Sequence, residues 1–272
     1  MIPDEGAVAV RPLVTIVTAV RDRVETIGDA VASVRAQTWP SVEHVVVDGV
    51  STDGTLDALR GLAAPSMLTV SEPDTGIYDA LNKGLARARG DVVGLLHSDD
   101  LFADATVLER VVHAFEDPAI DVVYGDLEYV SAADPSRVVR HWRAGAYAPG
   151  RLRRGWMPPH PTLFFRREVA ARHGGFDTSY RIAADYDLVL RWFGSGEVVA
   201  AYVPDVLVRM RTGGASNRSL RQILRKTGED YRALSTNALH GRRPGRVAGA
   251  LTLVSKNVSK LPQLVRRRRH GE

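Results

Sequence analysis

Residues 13–20, L-V-T-I-V-T-A-V, are uncharged and almost all apolar or β-branched, which predicts a strand buried on both faces. Past a short turn at Arg21-Asp22-Arg23, Ile27, Ala30, Val31 and Val34 recur at helical spacing and predict an amphipathic helix ending near Gln37. Trp39-Pro40 stops it. Residues 42–47 predict a second strand that runs into a carboxylate, Asp48. In the loop G-V-S-T-D-G-T that follows, Ser51, Thr52 or Asp53 can cap a helix reaching Leu62. A strand at 68–71, a turn from Glu72 to Gly76 and a helix over 77–88 make the next unit. Then V-V-G-L-L predicts a central strand buried on both faces, followed by His97-Ser98-Asp99-Asp100. Such alternation of short strands and helices argues an α/β fold with a parallel sheet and right-handed crossovers.

Beyond residue 100 the pattern is less regular. Asp104 can cap a helix whose apolar face holds Val107, Val111, Val112 and Phe115. Strand-like runs at 121–124 and 127–130 flank Gly125-Asp126, and another covers 138–142. Met157-Pro-Pro-His-Pro161 is a stiff loop ahead of the apolar run 163–165. Helices are predicted over 167–173, closed by Gly174-Gly175, and over 185–193, burying Leu188 and Trp192. Two further strand-like runs lie at 198–203 and 207–210.

Charge divides the chain. Residues 1–217 hold 22 Lys/Arg against 29 Asp/Glu, whereas residues 218–272 hold 14 against 3. The pattern therefore predicts a body over 1–217 and a basic, mainly helical extension over 218–272, ending in Arg266 to Arg269. No run approaches the ~18 apolar residues of a membrane span. The N-terminus M-I-P-D-E-G lacks the basic and then apolar pattern of a signal peptide. The absence of cysteine excludes disulfides and thiolate metal sites and suits a reducing compartment. The expected location is cytoplasmic, with the basic extension suited to peripheral contact with anionic lipid at the inner face of the plasma membrane. Nucleic acid is not an expected partner, because Tyr231 is the only Phe, Tyr or Trp in the extension.

Carboxylates mark the ends of strands or the starts of helices: Asp48, the pair Asp99 and Asp100, and Asp185. Ligands of open α/β sheets bind beyond the carboxyl ends of the strands, so Asp48 and the pair can share one crevice. Adjacent carboxylates repel and are best tolerated beside a cation or a ligand hydroxyl. Each also has a structural reading, as a loop cap, a solvated turn or a helix N-cap. Four segments in order, V-V-V-D-G-V-S-T-D-G-T, E-P-D-T-G-I-Y-D-A-L-N-K-G, L-L-H-S-D-D and A-D-Y-D-L-V-L-R-W, resemble the inverting family-2 nucleotide-sugar glycosyltransferases. The resemblance covers about residues 12–217 and is strongest to the small bacterial enzymes that build polysaccharides, O-antigens and glycolipids.

That resemblance implies a GT-A fold and transfer of one sugar from a nucleoside-diphosphate sugar to a hydroxyl of a glycolipid or polysaccharide precursor. It implies that Asp48 receives the imide N–H of uracil, that Asp74 lies near the nucleotide, and that Asp99 faces ribose or donor sugar. Asp100 would bind a divalent metal, Mg²⁺ or Mn²⁺, on the diphosphate, and Arg211 would close on that diphosphate. Asp185 would be the catalytic base, with Tyr124, Asp126 and His160 on the side where donor and acceptor meet. Departures are visible: His97-Ser98 precedes the acidic pair, Ala184 stands where a Glu often precedes the base, and Leu188 replaces the Gln of processive synthases. Two rival readings are a sugar-nucleotide nucleotidyltransferase, against which the glycine-free turn Arg21-Asp22-Arg23 argues, and a non-catalytic nucleotide-sugar binding module.

Overall fold

A computed structural model of the 272-residue chain describes residues 11–212 and 220–239. The first half follows the predicted alternation: β1 (Val14–Val20), α1 (Ile27–Arg35), β2 (Val42–Asp48), α2 (Thr55–Gly61), β3 (Met67–Ser71), α3 (Ile77–Arg87) and β4 (Val92–Leu95). Strand β1 runs parallel between β2 and β4, with Val14 opposite both Val42 and Val92, and β3 lies parallel outside β2. Every residue of β1 is buried, as an uncharged β-branched run requires. Helix α3 packs on β1 at Gly84, where a Cβ would collide with Val17. Asn82 of the same helix exchanges hydrogen bonds with the backbone of Phe176, so Asn82 and Gly84 serve packing.

The chain then turns over residues 97–100 into β5 (Asp100–Phe102), α4 (Val107–Ala114) and β6 (Val122–Val130). The two runs expected around Gly125-Asp126 are one strand. Its register shifts between Tyr124 and Leu127, and the bulge keeps the strand continuous past the polar pair. Next come β7 (Val138–Trp142), the short α5 (Pro149–Leu152), a single 3₁₀ turn at His160–Thr162, β8 (Phe164–Arg166) and α6 (Arg167–His173). Helix α7 (Ala184–Ser195) ends at Gly196 in the left-handed region, and β9 (Ala200–Arg211) joins two expected runs into one strand. Helix α8 (Leu220–Thr236) closes the described chain.

Among the described residues the strands form one sheet, ordered β3-β2-β1-β4-β8-β6-β9-β5, with β7 beside β6. The first half is parallel, whereas β8 is antiparallel to both β4 and β6 and β5 is antiparallel to β9. Apolar cores cover the faces: one packs α3, α6 and α7 around Phe165 and Trp192, another packs α1 and α4 around Phe102 and Phe164. Ala233 and Leu234 of α8 are buried in the first of these, so that part of the basic extension belongs to the same core. Arg266 to Arg269 lie outside the described residues.

His44 of β2 sits in this sheet with its ring 3.0 Å from Thr18 Oγ1. Burial, and then the charge of Arg35, hold its pKa down to about 3 from 6.5. The unfolded chain thus takes up the proton first. This contribution to stability is whole above pH 6.5 and is lost as the pH falls towards about 3. Urea unfolding should weaken by a few kcal/mol over that window, and His44→Gln should weaken less steeply. Equal slopes for the two proteins would show that His44 is not the titrating group.

Candidate active site

The carboxyl ends of β1, β2 and β4 share one rim, where open α/β sheets bind ligands. Two loops on that rim are laced together. Asp22 N–H donates to Ser51 Oγ at 2.8 Å, Thr52 N–H to Asp22 Oδ1 at 2.8 Å, and Val24 N–H to Asp53 Oδ2 at 3.0 Å. The lacing forces Asp22 (φ 51°) and Val50 (φ 57°) into the left-handed region. For a β-branched valine that costs on the order of 1–3 kcal/mol, supplied by the surrounding hydrogen bonds.

Asp48 does not open onto the rim. It is wholly buried, and it accepts hydrogen bonds from Ser51 N–H, from Ser51 Oγ at 2.5 Å and from Ser71 Oγ at 2.7 Å. A carboxylate so engaged ties β2 to its loop and to β3. The neighbouring Gly49 leaves its place to another acid: a Cβ there would collide with Asp74 Oδ2. Asp74 is half-buried, and its Oδ1 accepts the Gly76 N–H at 2.9 Å across the turn that Gly76 (φ 140°) permits.

The acidic pair divides. Asp100 is 1% exposed and opens β5 on the same face as Phe102, away from the rim. Its Oδ1 accepts the Arg211 N–H at 3.3 Å, and its Oδ2 is buried without a partner. Burial first, and then the charge of Asp99, push its pKa well above the carboxylate range, with Arg211 pulling the other way. Asp99 keeps part of its surface in solvent. Of the two, Asp99 is thus the carboxylate that meets solvent, and Asp100 the one that meets the core. Arg211 is occupied as well: it donates to the Asp99 carbonyl at 3.0 Å and pairs with Asp29 at 2.5 Å. It fastens the turn that carries Asp99.

Asp185 stands in the first turn of α7, 14% exposed. His160 Nδ1 lies 3.1 Å from its Oδ2, and the Tyr78 hydroxyl lies 3.5 Å from its Oδ1 while donating to Ile182 O at 2.7 Å. Burial, and then the Asp185 charge, drive the Tyr78 phenol far up, so it stays neutral. His160 Nε2 meets His97 Nε2 at 3.2 Å. Burial first, and then the charge of His160, hold His97 down to about 4, while Asp99 and Asp185 pull it up. The backbone ahead of α7 is held by Glu229 of α8, whose carboxylate accepts the N–H groups of Arg181, Ile182 and Ala183, the last at 3.0 Å. Asp187 faces elsewhere, bound to Arg191 Nε and Asn237 Nδ2 at 2.8 Å each.

Tyr124 and Asp126 do not line the rim. Tyr124 is fully buried and donates to Gly145 O, and Asp126 accepts from Ala144 N–H and from the Tyr202 hydroxyl at 2.7 Å. Both lie behind the turn that carries His160. Tyr78 and Glu229 were not predicted. Tyr78 sits in the motif G-I-Y-D-A, at the start of α3 where side chains can reach the rim, but Glu229 carries no local signal because its partners are backbone N–H groups some 46 residues away.

Among the described residues no three His, Cys, Asp or Glu side chains gather as a ready metal site. No described helix is long and apolar enough to cross a membrane. The rim, the acidic turn after β4 and the aspartate at the start of α7 define a glycosyltransferase of the GT-A class. The chain belongs to glycosyl transferase family 2, whose pattern its residues 15–175 match. It is 34% identical over 192 residues to the PGL/p-HBAD biosynthesis glycosyltransferase of Mycobacterium bovis, covering 68% of this chain and 72% of the relative. It is 33% identical over 185 residues to an uncharacterised glycosyltransferase of Mycobacterium tuberculosis, covering 66% and 68%. The fold is similar to the Pyrobaculum calidifontis mannosyltransferase in complex with GDP-Man and Mn²⁺, with TM-score 0.65, 20% identity and coverage of 94% and 76%. S. aureus TarS in complex with UDP-GlcNAc superposes with TM-score 0.67, 14% identity and coverage of 92% and 73%.

Proposed function

We propose that the chain moves a single sugar from a nucleoside-diphosphate sugar to an acceptor hydroxyl, inverting the anomeric centre, with Asp185 as general base and Asp99 as the carboxylate for a divalent cation. The observation that carries this reading is the line of contacts from Asp185 Oδ2 to His160 Nδ1 at 3.1 Å and from His160 Nε2 to His97 Nε2 at 3.2 Å, which joins the start of α7 to the acidic turn after β4. An inverting displacement needs a base on the acceptor side and charge neutralisation on the leaving diphosphate, and no covalent intermediate. One partly exposed carboxylate with no three-ligand cluster among the described residues suits Mg²⁺ or Mn²⁺, which take their remaining ligands from phosphate and water. Such an ion would supply Lewis-acid neutralisation of the departing diphosphate. The Asp185 carboxylate takes the acceptor proton, and Oδ1, whose contact with Tyr78 is long, is the oxygen that receives it.

On the nucleotide side, Asp74 replaces Asp48 as the acid that meets the base. UDP is supported by the TarS complex and GDP by the mannosyltransferase complex. A glycolipid or polysaccharide precursor as acceptor is supported by the relative named for PGL/p-HBAD biosynthesis. Peripheral contact with anionic lipid through the +11 segment 218–272 completes the proposal.

Release of nucleoside diphosphate from UDP-glucose, UDP-N-acetylglucosamine and GDP-mannose, measured with Mn²⁺, tests the reading. Turnover of one of them above background is expected, and turnover of none would count against a transferase of these donors. Asp74→Ala should raise the donor KM about tenfold or more with kcat nearly unchanged, the mark of a contact made equally in ground and transition states. Gly49→Ala should do the same by displacing Asp74. A donor KM unmoved in both variants would return the base contact to another residue.

A further inference from the structure

Asp185 is approached by two imidazoles in a line. His160 Nδ1 faces its Oδ2 at 3.1 Å, and His97 Nε2 faces His160 Nε2 at 3.2 Å, the rings meeting edge-on at 65°. His97 follows β4, His160 opens the 3₁₀ turn, and Asp185 opens α7, so three separate elements meet through these atoms.

The protons can be assigned. An ionised carboxylate only accepts, so His160 Nδ1 carries a hydrogen where it faces Asp185. The two facing Nε2 atoms share one further hydrogen between them. Were it on His160, that ring would be a cation, and neutral His97 would bury its other N–H at Nδ1. That atom is buried without a partner, and buried orphan N–H groups are rarer than buried orphan acceptors. With the hydrogen on His97, its Nδ1 is a bare lone pair and His160 stays neutral.

We propose, resting on the reading of Asp185 as the base, that His97 and His160 form a fixed donor chain, His97 Nε2–H to His160 Nε2 and His160 Nδ1–H to Asp185 Oδ2, that positions the carboxylate. His160 is then a positioning residue. Its ring locks Oδ2 and thereby turns Oδ1 to the acceptor, and it receives no proton in the reaction. The stiff frame Pro158-Pro159-His160-Pro161 serves this purpose by fixing the backbone from which the ring projects. The side chain of His97 fills the place that precedes the acidic pair, where the sequence departs from its family.

Two measurements decide it. In histidine nitrogen NMR spectra of the unliganded protein, His160 should show a protonated Nδ1 and a bare Nε2, and His97 the reverse. His97→Ala should move the His160 Nε2 resonance, and Asp185→Asn the His160 Nδ1–H. A His160 ring bare at Nδ1, or one indifferent to both substitutions, overturns the chain. In the transfer assay, His160→Ala should lower kcat about 10–100-fold with donor KM within about twofold. His160→Asn, which keeps an N–H near the place of Nδ1, should recover most of it. An Asn variant as slow as Ala, or losses shared between kcat and donor KM, would mean a merely structural ring. An Asp185→Asn variant that transfers normally would overturn the base itself, and with it the catalytic purpose of the chain, even where the spectra show the tautomers intact.

Discussion

Replacing Asp185 by Asn is expected to lower kcat at least about a hundredfold while donor KM stays within about twofold. The change keeps size and polarity and leaves an acceptor oxygen for His160 Nδ1–H, so the loss measures the proton-taking power of the carboxylate. Asp187 provides the internal control. It lies two residues on in α7, tied to Arg191 and Asn237, and it does not reach the rim. Asp187→Asn should lower the melting temperature, because Arg191 would lose a buried partner, with kcat little changed. A dead Asp187→Asn beside an active Asp185→Asn would reverse the assignment.

The second large effect separates the two members of the acidic pair. Asp99→Asn should cut turnover of the donor at least about a hundredfold, and EDTA should silence the wild type, since metal and diphosphate bind as a unit. Asp100→Asn should retain most activity. Its carboxyl is buried and pushed towards the neutral form, which an amide imitates closely. The Arg211 N–H still finds an oxygen there. Full activity of Asp99→Asn, or of the wild type in EDTA, would remove the cation from this site.

The difference between these neighbours marks how far the sequence could be read. Strands β1 to β4 and their helices were legible because hydrophobic periodicity decides parallel units locally. The continuity of β6 and of β9 was not, because Gly125-Asp126 in β6 and the pair Pro204-Asp205 in β9 look like breaks until the register shift between the two strands absorbs them. Asp185 was singled out by a motif in register, and the structure brings His160 to 3.1 Å from it. The burial of Asp48, Asp100, Arg211, Tyr124 and Asp126 was not legible. Which side of a strand end faces water depends on partners distant in sequence: Ser71 for Asp48, Arg211 for Asp100, Tyr202 for Asp126. No local pattern carries that information.

Glu229 gives the charge boundary at residue 217 a different meaning. By composition the chain changes character there, yet the carboxylate that holds the three backbone N–H groups ahead of the base lies beyond it. The family match itself ends at residue 175, before Asp185. The chemical unit is thus longer than both the acidic body and the recognisable segment, because α8 acts as the hand that steadies the tool. A shortened chain ending at the charge boundary would keep all the acidic residues of the rim but leave Arg181, Ile182 and Ala183 without their common acceptor. Helix α8 of the basic extension therefore belongs to the framework that holds the start of α7, where Asp185 stands.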